Sequence, residues 1–134
     1  MFNNHFFINK KILITGCTGF KGSWLTIWLH LLGAELYGLA LDPPTKPSLY
    51  EEANLKKIIK NNIFDIRDSE KVANLIGEIK PDYIFHLAAQ PLVKESYLKP
   101  IKTWETNVIG TVNILDSLRF LEKKCIGIII TSDK

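Results

Sequence analysis

The sequence is poor in the residues that mark several common protein classes. It has two cysteines in 134 residues, Cys17 and Cys125. They lack CxxC spacing, so no disulfide framework is indicated, and the usage fits a reducing, cytoplasmic setting. The three histidines, His5, His30 and His86, are too dispersed to suggest a shared metal ion, and no metal is expected. Neither sign of charge dominates: 17 lysines and arginines stand against 14 aspartates and glutamates, a net +3. The lysines are scattered, and Lys56, Lys57 and Lys60 read as a solvated face rather than a nucleic-acid patch. No nucleic-acid partner is expected. Long uninterrupted apolar runs are also missing. The most apolar window, Trp24 to Leu41, is broken by His30, Gly33 and Glu35 and divides into helix, turn and strand, so no membrane span is expected. The opening MFNNHFFINKK lacks the basic head, apolar core and cleavage site of a signal peptide. No internal repeat or low-complexity stretch is present.

What is present is an ordinary globular composition, 46% hydrophobic, in a chain whose length predicts one domain over residues 1–134. The stretch that organises it is KILITGCTGFKGSWLTIWLHLL, residues 11–32. Ile12, Leu13 and Ile14 form a short apolar run typical of a buried parallel strand, and Gly16, Gly19 and Gly22 follow at three-residue spacing. In a dinucleotide site the first such glycine turns the chain off the strand, the second admits a pyrophosphate close to the backbone, and the third lets the new helix pack on the sheet. The amide N–H groups and dipole of that helix favour a diphosphate. An acidic residue, Asp42, stands 20 positions beyond Gly22 at the end of the next strand, where a ribose hydroxyl is bound in such folds. From Trp24 to Leu32 apolar positions cover most of the helix, with Ser23, Thr26 and His30 on one polar stripe. This predicts a helix largely covered by protein.

Further along, Gly33 is placed as a helix cap and Glu35–Leu41 reads as a second strand. Pro43, Pro44 and Pro47 enforce a loop. Ser48 and Glu51 have capping-box spacing for a short helix, and Asn62–Ile66 reads as a third strand. Asp68 is placed to cap a helix carrying Val72, Leu75, Ile76 and Ile79, which Pro81 stops, and Tyr83–Leu87 is a fourth strand. Pro100 opens a long helix to about Leu121, with Ile101, Trp104, Val108, Val112 and Leu115 expected inward. Ile126–Ile130 is the fifth strand. This alternation predicts an α/β doubly wound parallel sheet, a Rossmann fold, with strand order 3-2-1-4-5. Ala88, Ala89 and Gln90, and again Thr131, Ser132, Asp133 and Lys134, then fall at carboxyl ends of strands, where open parallel sheets place their ligands.

TGCTGFKGSWL at 15–25, LDPPTKPSLYE at 41–51, DIRD at 65–68, HLAAQPLV at 86–93, TNVIGT at 106–111 and TSDK at 131–134 together resemble the CDP-glucose 4,6-dehydratase family. That family belongs to the extended short-chain dehydrogenase/reductases. GxxGxxG and HLAAQ are shared with many nucleotide-sugar enzymes, whereas GFKGSWL, LDPPTKPSL and SDK are narrower. Cys17 departs from relatives that often carry histidine there. The resemblance implies bound NAD, held by Gly16, Thr18, Gly19, Phe20, Lys21, Gly22, Asp42, Asp65, Ile66, Leu87, Ala88, Ala89 and Asn107, with Gln90 facing the sugar. It implies conversion of CDP-glucose to its 4-dehydro-6-deoxy product for deoxysugar and surface-polysaccharide synthesis. Hydride passes from sugar C4 to the cofactor, water is lost across C5 and C6, and hydride returns to C6. Asp133 and Lys134 match the acid/base positions for the elimination, and Ser132 matches the position that hydrogen-bonds the C4 hydroxyl. Lys134 stands where other nucleotide-sugar dehydratases usually have glutamate, so the division of roles between the pair stays open.

The rival readings are a nucleotide-sugar 4-epimerase, against which the Asp133 and Lys134 pair argues, and a noncatalytic NAD-binding module. His86 is read as a strand-end residue satisfied by a local hydrogen bond. The resemblance places a YxxxK tyrosine and lysine on the helix after the fifth strand, and Tyr97 and Lys102 do not match it. The chain is therefore expected to be a catalytically incomplete fragment with an open, apolar fifth-strand edge, and the complete enzyme a homo-oligomer.

Overall fold

The computed structural model describes residues 5–131. Five strands, Lys11–Thr15 (β1), Glu35–Ala40 (β2), Lys60–Ile63 (β3), Tyr83–His86 (β4) and Ile126–Ile129 (β5), form one sheet in the order β3-β2-β1-β4-β5. Every pairing is parallel. Both the doubly wound class and the expected order hold. Helices Phe20–Leu31 (α1), Leu49–Glu52 (α2), Ser69–Ile79 (α3), Val93–Leu98 (α4), Pro100–Trp104 (α5) and Gly110–Leu118 (α6) connect them. A π turn, Glu105–Ile109, joins α5 to α6.

The strand period of two divides the core. Leu13, Leu39 and Ile84 meet Val72, Leu75, Ile76 and Ile79 of α3 and Ile114 of α6 on one face. Ile12, Ile14, Leu36 and Ala40 meet Leu29 of α1 and Ile59 on the other. The caps behave as their chemistry predicts. Ser48 accepts the Glu51 N–H at 3.2 Å and donates its hydroxyl to the Glu51 carboxylate, and Asp68 accepts the Lys71 N–H at 3.2 Å. Gly33 lies just past the end of α1.

Three expectations need correction. The third strand begins at Lys60 and ends at Ile63 rather than spanning 62–66. Asp65 accepts the Arg67 N–H at 2.9 Å, a turn that takes the chain out of the sheet. The long helix after Pro100 is interrupted by the π turn and ends at Leu118, and the separate helix α4 precedes it.

The largest correction concerns which sides of two helices are buried. In α1 the sheet side carries Gly22, Ser23, Thr26 and Leu29, while Phe20, Trp24, Trp28 and Leu31 are exposed, Trp28 at 62%. The polar residues Ser23 and Thr26 can face inward because their hydroxyls donate to Cys17 O at 3.1 Å and Gly22 O at 2.8 Å. With its polar atoms satisfied, the smallest side of the helix approaches the strands most closely. The same holds in α6, where Gly110, Ile114 and Ser117 are buried and Ser117 donates to Asn113 O at 2.7 Å. Ile101, Trp104, Val108, Val112 and Leu115 are exposed, Trp104 at 67%. In α1 side-chain size, more than hydropathy, selected the inner face, whereas in α6 Gly110 and Ser117 flank the fully buried Ile114.

Ile114→Ala should therefore lower the unfolding free energy by about 2–5 kcal/mol through the lost core contacts and cavity. Val112→Ala, two residues earlier on the outer side, should change it by no more than about 0.5 kcal/mol. Urea unfolding of the two variants distinguishes this orientation from the opposite one.

Candidate functional site

The carboxyl ends of β1, β2 and β4 converge on the glycine loop. Gly16 leaves β1 at φ +72°, and its N–H donates to Leu39 O at 2.8 Å. A methyl group at Gly16 would stand 2.9 Å from the Ala88 nitrogen, and one at Gly22 would stand 2.1 Å from Gly16 O. Loop, helix and β4 exit thus touch through backbone alone. At Gly19 an added methyl would meet only Gly16 O, at 3.4 Å, so this residue faces open space. Gly19 is also the N-cap of α1, with no side chain capping the helix and no acidic residue in its first turn. The first-turn amides are left available to an anion, with Phe20 and Lys21 exposed beside them.

Thr18, buried, donates its hydroxyl to Leu41 O at 2.8 Å and so ties the loop to the end of β2, one residue before exposed Asp42. Cys17 points away from this opening. Its thiol is buried and donates to Asn61 Oδ1 at 3.2 Å, and burial pushes its pKa up to about 12, which keeps it protonated and unreactive.

A second wall forms after β3. Asp65 receives Arg67 through the backbone N–H, Nε and Nη2 at 2.9–3.1 Å, while Arg67 Nη1 donates to Glu105 at 2.9 Å. The Arg67 hydrogen bonds hold the Asp65 carboxyl below the usual aspartate range. Ile66, the neighbour, is buried against α6, and Asn113 Nδ2 donates to the carbonyls of Ile66 and Arg67 at 3.0 and 3.1 Å.

The third wall is the β4 exit. Thr15 Oγ1 accepts from the Leu87 and Ala88 amides, both at 3.1 Å, and lies 2.6 Å from His86 Nδ1. His86 Nε2 lies 2.9 Å from Thr111 Oγ1, which is 2.7 Å from Asn107 O. Asn107, within the π turn, grips the backbone of Gln90 with both ends of its amide: Oδ1 accepts the Gln90 N–H at 2.7 Å and Nδ2 donates to Gln90 O at 3.1 Å. The Gln90 side chain is engaged with Leu92 and with Thr103 Oγ1 at 3.1 Å. Ala89 is exposed beside it. The Ile130 N–H donates to His86 O at 3.0 Å, which brings the end of the fifth strand alongside this wall. Ser132, Asp133 and Lys134 lie outside the described residues.

Residues 13–133 match the family model described as GDP-mannose 4,6 dehydratase. The chain belongs to the GDP-mannose 4,6-dehydratase family. Within it the chain is 48% identical, over its whole length, to a CDP-glucose 4,6-dehydratase from Salmonella typhimurium, of which it covers 37%. It is 32% identical over 121 residues to a GDP-mannose 4,6-dehydratase of Vibrio cholerae, covering 85% of this chain and 32% of that one. Among solved structures, a Thermus thermophilus UDP-glucose 4-epimerase in complex with NAD superimposes with a TM-score of 0.75 at 30% identity, over 87% of this chain and 36% of that one. The chain thus spans about a third of the length of the relatives it matches.

In this member of the GDP-mannose 4,6-dehydratase family the expected loop residues come together, as do Leu87, Ala88 and Asn107. The reading of His86 as locally satisfied holds, with two partners rather than one. Reading the sequence missed Thr15, Arg67, Glu105, Thr111 and Asn113. Thr111 stands four residues after Asn107 and Asn113 six after it, polar positions on the helix that carries the buried Ile114, and that placement was the available signal.

Burial holds the His86 pKa below its usual 6.5, so the folded protein keeps the ring neutral. The unfolded chain takes up this proton first as pH falls, so the stability contributed by neutral His86 is complete above pH ~6.5 and is lost progressively below it. Urea midpoints measured from pH 7.5 to 5 should fall, and His86→Gln should remove that part of the decline.

Proposed function

We propose that this chain is the NAD-binding part, residues 1–134, of a nucleotide-sugar 4,6-dehydratase that acts on CDP-glucose. The observation that carries the cofactor reading is the closure of Gly22 against Gly16 O beneath the uncapped start of α1, with Gly19 open above it. Here a diphosphate fits on the amides following Gly19, with Thr18, Phe20 and Lys21 around it. On this reading Asp42, next to the Thr18–Leu41 contact, serves the adenosine ribose, Asp65 and Ile66 the adenine, and Leu87, Ala88, Ala89 and Asn107 the nicotinamide side. Bound NAD would supply the hydride acceptor and donor.

The choice of CDP-glucose is supported by the 48% identity to the Salmonella typhimurium enzyme and by the GFKGSWL, LDPPTKPSL and SDK stretches. Elimination across C5 and C6 of the sugar needs a base at C5 and an acid at the departing hydroxyl, roles for Asp133 and Lys134, with Ser132 bonded to the C4 hydroxyl and Gln90 beside the sugar. A lysine acting as base has to be neutral, which demands a lowered pKa. The product enters deoxysugar and surface-polysaccharide synthesis. Among the described residues no helix is long and apolar enough to cross a membrane, and the reading places the enzyme in the cytoplasm. The outward stripe of Ile101, Trp104, Val108, Val112 and Leu115 supports a homo-oligomer.

Asp42 would accept hydrogen bonds from a free ribose and repel a 2′-phosphate, so NAD should bind tighter than NADP. Calorimetric titration of each into a polypeptide carrying this chain together with the remaining length of its relatives checks this, and Asp42→Asn should narrow the preference by about tenfold. In a polypeptide carrying this chain together with the remaining length of its relatives, Asp133→Asn should cut formation of the 4-keto-6-deoxy sugar by about a hundredfold to ten-thousandfold while NAD still binds. Near-normal product would remove Asp133 from the acid/base pair.

A further inference from the structure

We infer that His86 is a positioning residue: held as the Nε2–H tautomer, its ring locks the Leu87–Ala88 wall to the Asn107 turn through Thr15 and Thr111. The hydrogen bonds at the Thr111 end of the ring lead to this, and those at the Thr15 end fit it. Asn107 O, 2.7 Å from Thr111 Oγ1, can only accept, so the Thr111 hydroxyl proton points to it. Toward His86, Thr111 Oγ1 is left with lone pairs alone. The ring nitrogen 2.9 Å away, Nε2, must be the donor.

At the other end Thr15 Oγ1 accepts from the Ala88 amide at 3.1 Å and shares the Leu87 amide with the Thr15 carbonyl, at 3.1 and 3.2 Å. In a neutral ring a donating Nε2 leaves Nδ1 without a proton, so the Thr15 hydroxyl, 2.6 Å away, donates to it. A donating Nε2 and an accepting Nδ1 are the two halves of one neutral tautomer. The ring is only 2% exposed, so water does not compete for either nitrogen. Every bond then runs in one direction: from the two amides to Thr15, to His86, to Thr111, to the Asn107 carbonyl.

This path joins parts of the chain that are remote in sequence, the end of β1, the exit of β4 and the π turn. Asn107 in turn holds the Gln90 backbone. The segment 87–90 is therefore held at its first two amides through Thr15 and at its last residue through Asn107, and His86 connects the two holders. No proton transfer to substrate is assigned to the ring. That the locked segment is a cofactor wall rests on the NAD reading above; the lock itself does not.

Two substitutions separate the halves. Asn at position 86 offers an oxygen near the place of Nδ1 but does not reach Thr111, whereas Gln reaches Thr111 and leaves Thr15 without an acceptor. Nitrogen-15 NMR of the 134-residue chain at pH 7.5 should show a pyridine-type Nδ1 and a pyrrole-type Nε2 for His86. His86→Asn should keep the hydrogen-exchange protection of the Leu87 and Ala88 amides and lower that of Gln90 by roughly threefold to tenfold; His86→Gln should do the reverse. NAD affinity should fall by about tenfold in His86→Gln and by less than about threefold in His86→Asn.

An Nδ1–H tautomer overturns the proposal, and this measurement needs no variant to fold. Equal loss of protection at both ends in both variants also overturns it, since a merely space-filling ring would give that result. NAD binding that neither substitution moves refutes the positioning role. Absence of NAD binding by a polypeptide carrying the unsubstituted chain together with the remaining length of its relatives, with the tautomer and the split in protection both found, refutes the cofactor reading and supports the lock.

Discussion

The structure depends on one close approach. α1 can lie against the end of β1 only because nothing extends from Gly22, where a methyl carbon would fall 2.1 Å from the Gly16 carbonyl oxygen. No side-chain rearrangement relieves a backbone contact of that kind. The same approach brings Gly16 against the Leu87–Ala88 backbone, so the first turn of the helix, the loop beneath it and the exit of β4 are placed by one steric constraint. Ser23 and Thr26 accommodate it by returning their hydroxyls to nearby carbonyls, and Leu29 completes the contact.

From that contact outward, positioning is done by uncharged hydrogen bonds between segments remote in sequence. Thr18 holds the end of β2, Thr15 holds the β4 exit, Asn107 holds Gln90, and Asn113 holds the turn at Ile66 and Arg67. Threonine and asparagine suit this work because they satisfy backbone groups at strand ends without bringing a buried charge. Ionic contacts stay at the margins, where the Arg67 pairs with Asp65 and Glu105 are partly solvated and contribute little to stability. Their effect is geometric, since they join the turn after β3 to the π turn.

On α1 the inner side is made of Gly22, Ser23, Thr26 and Leu29, which leaves Trp24 and Trp28 outward, and the stripe from Ile101 to Leu115 is likewise exposed. The strand faces, by contrast, alternate regularly and carry the branched aliphatic residues of both cores.

Local chemistry in the sequence was enough to determine the five strands and their order, helices α1, α2 and α3, the glycine loop, the caps at Ser48 and Asp68 and the parallel sheet. Each of these follows from short-range rules of period, turn and cap. The sense of burial on α1 and α6 was not legible, because hydropathy along a helix does not record how near the sheet must come; Gly22 and Gly110 set that distance only once the partner backbone and Ile66 are in place. Nor was the His86 network legible. Thr15, His86 and Thr111 look unremarkable in the sequence, the first two 71 residues apart, and only the parallel pairing of β1 with β4 and the packing of α6 on the sheet bring their polar atoms within bonding distance.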